Sequence, residues 1–79
     1  MGVYPNPSEG QFNLYIENEI QMNYTITVSD VLGKIISTQI IAVSGNENST
    51  IDLRQQPAGI YFLNVATQDT QKVMKLIRE

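Results

Sequence analysis

Glu17 and Glu19 are the nearest approach to a carboxylate pair in the chain. On an extended backbone, side chains two positions apart share a face. The pair suits acid–base work only where a pocket holds it, and is otherwise a solvated edge. Asn46, Glu47, Asn48 and Asp52 gather oxygen donors of the kind Ca²⁺ takes, but their spacing fits no calcium-binding loop. Asp30, three residues before Gly33, suits a turn cap whose carboxylate accepts from the backbone two residues on. Further chemistry is restricted, because the chain has 0 His and 0 Cys. Imidazole acid–base catalysis, a thiol nucleophile, a thiolate or imidazole metal site and a disulfide are all excluded. No serine or threonine has a base at a nucleophile–base spacing. What remains is recognition chemistry, carried by Lys34, Lys72, Lys75 and Arg78 and by Tyr15, which alternates onto a polar face.

The elements that must position these groups belong to one small domain of 79 residues, spanning 1–79. An apolar content of 42% against 16% charged suits a folded core. A net charge of −3 argues against nucleic acid and anionic lipid as partners. No apolar run approaches the ~20 residues of a membrane-spanning helix, so no direct membrane insertion is expected. Met1-Gly2-Val3-Tyr4-Pro5 has neither a basic nor an apolar leader region. Met1-Gly2 reads as a start placed on a fragment of a longer protein.

The dominant period is two. Phe12, Leu14 and Ile16 alternate with polar neighbours, as do Tyr24, Ile26 and Val28. Ile35 to Val43 is β-branched, with a phase slip at Ile40-Ile41 that predicts a bulge or bend midway. Ile51 and Leu53 predict a short strand, Ile60 to Thr67 one covered on both faces, and Gln71 to Arg78 the last. Val3-Tyr4 predicts a short edge strand. Pro7-Ser8-Glu9-Gly10, Asp30-Val31-Leu32-Gly33 and Gln56-Pro57-Ala58-Gly59 each end a four-residue turn on glycine, which takes positive φ freely. Ser44 to Asn48 predicts a polar, mobile loop. The expected fold is therefore all-β, a small immunoglobulin-like antiparallel β-sandwich of about seven short strands.

Four segments then stand in order: Val3-Tyr4-Pro5-Asn6-Pro7 with Gly10; Val28-Ser29-Asp30-Val31-Leu32-Gly33-Lys34; Ile51-Asp52-Leu53 through Pro57-Ala58-Gly59 to Ile60-Tyr61-Phe62; and Lys72-Val73-Met74-Lys75-Leu76-Ile77. Each alone is common. In this order and at this spacing the chain resembles the C-terminal sorting domain (type A) of proteins exported by the type IX (Por) secretion system of Bacteroidota. The resemblance covers essentially the whole chain. It implies an immunoglobulin-like sandwich that follows an N-terminal cargo protein and passes through the periplasm. The partners it implies are the type IX translocon, its outer-membrane shuttle protein and a sortase-like cysteine peptidase, with the cargo then secreted or attached to the cell surface. It implies no cofactor, no metal and no catalysis. The family motif falls on Pro5, Asn6, Pro7, Gly10, Asp30, Gly33, Lys34, Gly59, Tyr61, Lys72 and Lys75. Two points depart from the family: Glu79 follows Arg78 where members often finish on a basic or aliphatic residue, and the family's cleavage site lies upstream of Tyr4-Pro5-Asn6-Pro7.

Glycine and proline positions in this set read as backbone geometry, and Tyr61 as a core residue whose hydroxyl bonds to backbone, as in a tyrosine corner. Lys34 has two readings, a solvated charge or a contact to the secretion machinery. Lys72, Lys75 and Arg78 either blunt an edge strand or flank one recognised by strand addition. The same edges allow a dimer of the isolated domain. The alternative to a sorting signal is an immunoglobulin-like binding or spacer module, and a binding module would need an exposed aromatic platform.

Overall fold

The alternation of apolar and polar residues gives strands with one buried face, and the computed structural model, which describes residues 1–79, contains five of them. They are β1 (Gly2–Tyr4), β2 (Gln11–Asp30), β3 (Ile35–Asp52), β4 (Gly59–Ala66) and β5 (Gln71–Arg78), all antiparallel within one sheet. β2 is the hub. β3 pairs along one of its sides for nearly the full length, while β1 takes the first half of the other side and β4 the second. β5 then pairs with β4 from Gly59↔Arg78 to Ala66↔Gln71.

A straight strand of 20 residues would reach about 65 Å at ~3.3 Å per residue, yet the longest dimension of the domain is 36 Å. The β2–β3 ribbon therefore turns back on itself. The turn sits where the register shifts between Asn18 and Met22, with Glu19, Ile20 and Gln21 of β2 facing Ser44 alone on β3. Extra residues on one strand bend a ribbon and increase its twist. Even-numbered residues of β2 line the concave side in both halves, so Phe12, Leu14 and Ile16 meet Ile26 and Val28 across a core completed by Val43, Ile51, Leu53, Tyr61, Leu63, Val65 and Leu76.

This is one curled sheet of five strands, and it replaces the seven-stranded sandwich of separate short strands expected from the sequence. The alternating stretches Phe12–Ile16 and Tyr24–Val28 are one strand, because Glu17 to Gln21 continues β2, and Ser44 to Asn48, expected as a loop, is continuous strand in β3, where Asn48, Glu47 and Asn46 pair with Tyr15, Ile16 and Glu17. Polar side chains on both partners face water there while the backbone ladder is satisfied, which composition alone cannot distinguish from a loop. The bulge or bend expected at Ile40-Ile41 is absent there, where pairing is regular: the irregularities flank it, with Ile36 the extra residue between the Val28↔Ser37 and Ser29↔Ile35 pairs and the turn of the ribbon at Ser44. The outer face of β4 is open, with Ile60 43% and Phe62 37% exposed, so β4 is not covered on both faces. The edge strand at Val3-Tyr4 and the last strand at Gln71–Arg78 lie where expected.

Leu14 is fully buried and Ile20, at the bend, is 67% exposed. Leu14→Ala should lower unfolding free energy by about 2–5 kcal/mol in urea titrations, and Ile20→Ala should change it by less than about 0.5 kcal/mol.

Candidate functional site

The four sequence segments meet in one row across the sheet. Asp30 at the end of β2 pairs with Tyr61 of β4, and Tyr61 pairs with Leu76 of β5. Beyond Leu76 the row is continued by a side chain in place of a strand. The Asn6 carboxamide donates to the carbonyl of Lys75 at 2.7 Å and accepts from the amide of Ile77 at 2.9 Å. A carboxamide has the donor and acceptor pair of a peptide unit, so Asn6 completes the β5 ladder as a neighbouring strand would. Ser8 extends it through its backbone, donating to Ile77 O at 3.0 Å and accepting from Glu79 N at 2.8 Å, in a parallel bridge with Arg78.

Each turn of the row is fixed by identifiable contacts. One carboxylate oxygen of Asp30 accepts from Leu32 N and Lys34 N, both at 2.9 Å, and Gly33 closes the turn with φ of 85°. Asp30 is thus the turn cap that the sequence indicates. The Tyr61 hydroxyl donates to Pro57 O at 2.6 Å, which realises the tyrosine corner and ties the Pro57–Gly59 turn to the core. Gly10 has φ of 135°, and a Cβ there would lie 2.8 Å from Arg54 Cγ and 3.0 Å from Arg54 Cα. The carbonyl of Gly10 accepts from Leu53 N. Pro5 and Pro7 flank Asn6 on the exposed strap between β1 and β2.

Lys34 and Lys75 stand at this end of the sheet with exposed side chains. Lys72 does not join them. It pairs with Val65, further towards the bend, and alternation along β5 points it to the opposite face from Lys75. The single ion pair of the chain is Asp52–Arg54, so none of the three ammonium groups has an intramolecular carboxylate partner. Glu17, Asn18 and Glu19 line a surface hollow at the bend with Ile20, Gly45 and Asn46, away from the row. No group of three His, Cys, Asp or Glu side chains converges to hold a metal.

The contacts of three residues are not legible in the sequence. Ser8, 6% exposed, accepts from Gly10 N through its hydroxyl and donates to Gln11 O. Its position between Pro7 and Gly10 was the available signal. Arg78 donates from Nε to Leu53 O and from Nη2 to Arg54 O, clamping the last strand to the segment after β3. Asp52 receives Arg54 on both oxygens, with Nε at 2.9 Å and Nη2 at 2.8 Å. That guanidinium, assisted by the Arg54 backbone amide, holds the Asp52 carboxyl down at about 2.

Comparison with protein families gives a match over residues 2–79 to the secretion system C-terminal sorting domain. The chain belongs to this family, the C-terminal sorting domains of type IX secretion. Comparison with curated protein sequences gives no match. The row described above makes residues far apart in sequence neighbours at one end of the domain.

Replacing Asn6 by Ala should cost about 1–2 kcal/mol for two lost hydrogen bonds and speed amide exchange at Ile77, read by NMR. Asn6→Asp should not rescue, because a carboxylate has no proton to give the Lys75 carbonyl. The Asp52 carboxyl is depressed in the folded chain, so its contribution to stability is present above the ordinary carboxylate range and lost as pH falls through about 2. Arg54→Ala should return its titration, followed by carboxyl NMR, towards about 3.9.

Proposed function

We propose that this domain is a non-catalytic address label, joined behind a cargo protein and read by the type IX translocon and its outer-membrane shuttle at the end of the sheet where Asn6, Asp30, Tyr61 and Leu76 align. Membership of the family carries secretion across the outer membrane, to the surface or the medium, and attachment to a cargo. The observation supporting the finer reading is the row itself. It joins all four motif segments through backbone and turn contacts and leaves Lys34 and Lys75 exposed beside it without a carboxylate partner. A solvated lysine contributes little to folding, so its ammonium is free to meet an acidic surface on the machinery. Transit through the periplasm and removal by a sortase-like peptidase upstream of Tyr4 complete the proposal. The absence of His and Cys supports the non-catalytic role.

A second reading, a glycan-binding module, is favoured by one feature. Tyr4 and Tyr15 are 52% and 38% exposed on the outer face of β1 and β2, with ring centroids 6.2 Å apart. Aromatic faces with nearby amides such as Asn13 and Asn48 suit sugar rings.

The deciding experiment fuses residues 3–79 behind a periplasm-directed fluorescent protein in a Bacteroidota host and in a translocon-null sibling. Export in the first and retention in the second is expected. Deleting β5 should abolish export, and the double variant Lys34→Ala with Lys75→Ala should reduce it while thermal unfolding is unchanged. Retention of a folded fusion in both strains overturns the proposal, and polysaccharide binding lost in Tyr15→Ala would then establish the second reading.

A further inference from the structure

Each edge of the sheet offers unpaired backbone groups, and two of the three are guarded. β1 is only three residues long. β5 has Asn6 and Ser8 against its outer edge near Lys75 to Glu79, and carries Lys72 and Lys75. β3 pairs with β2 alone, so its other side is bare over the whole of Ile35–Asp52. Beyond the bulge at Ile36, from Ser37 to Ser44, that strand contains no charge and no proline, two of the devices by which natural proteins protect an edge. Its pairing with β2 is regular from Ser37↔Val28 to Val43↔Met22, so the exposed rail is straight and without a bulge over these residues. Ile40 stands at its middle and is 70% exposed.

We propose that this rail is a homotypic interface, on which a second copy of the chain adds its own β3 antiparallel about a two-fold axis at Ile40. The pairing would set Ile40 of one copy beside Ile40 of the other, Thr38 opposite Ala42, and Gln39 opposite Ile41. Every side chain brought together is neutral, so the strand is compatible with itself without charge complementarity, and the β-branched Ile40 pair leaves water. The returning half of the strand, which carries Glu47 and Asp52, folds over the first half and is tied to it by Gln39 Nε2 donating to Ser49 Oγ at 3.2 Å. Those carboxylates lie outside the self-paired stretch. Each copy has one such rail, so the association closes at two chains.

The test uses the whole 79-residue chain. Sedimentation velocity from micromolar to submillimolar concentration should show a dimer, and Ile40→Lys, which sets two ammonium groups side by side, should sediment as a monomer with an unchanged circular dichroism spectrum. The chain has 0 Cys, so a single introduced thiol reports on the axis independently of that variant. Ile40→Cys should form a covalent dimer on mild oxidation, and Ile20→Cys, exposed at the bend, should not. A wild-type monomer throughout the range, wild-type particles larger than a dimer, or equal crosslinking of the two cysteine variants would each overturn the proposal.

Discussion

A ribbon of two strands has two faces, and only one of these is apolar here. That constraint organises the domain. β2 and β3 are too long to lie flat within a domain of 36 Å, and their shared apolar face has nothing else large enough to cover it. Folding the ribbon onto itself solves both problems, with Leu14 and Ile16 finding Ile26 and Val28 on the same strand. Every other element then has an assigned place. β4 and β5 widen the second half of the sheet and supply Leu63, Val65 and Leu76 to the core, and the strap from Tyr4 to Gly10 closes against the outer edge of β5. The core is therefore shared by the two halves of one sheet.

The sequence revealed the all-β class, the terminal strands and the chemistry of the glycine turns, because each depends on residues adjacent in the chain. Asp30 with Gly33, and Tyr61 with Pro57, form local devices that can be read from a few letters. Strand number was not legible in this way. Glu17 to Gln21 and Ser44 to Asn48 are polar, and polarity signals a loop whenever the partner strand is unknown. The pairing of these two segments with each other makes them strand, and that is information about two distant places at once. The same limit hid the roles of Ser8 and Arg78, whose partners lie far off along the chain. Individual motif residues were visible, while their alignment into one row depended on register.

Family membership and geometry bear on each other at that row. Four segments scattered along the chain are neighbours there. Asp30, Tyr61 and Leu76 occupy consecutive strands at one level, and Asn6 supplies the next position without being in a strand at all. Proline on both sides of Asn6 leaves the strap without two backbone donors, so the carboxamide and Ser8 carry the contact that a regular strand would make with its main chain. The bend lies at the opposite end and carries Glu17 and Glu19, giving the two ends of the sheet different electrostatic character.

The contact between Asn6 and β5 also imposes an order in time. A ribosome delivers Asn6 roughly seventy residues before Ile77 exists, so the first motif emerges with nothing to grip. Leu76 and the ladder groups around it arrive after the other strands' core residues, and only then can the strap dock on β5. A message that stops early yields a passenger with a strap, a ribbon and no finished row. A chain that stops before Lys75 therefore leaves the Asn6 carboxamide with neither of its ladder partners.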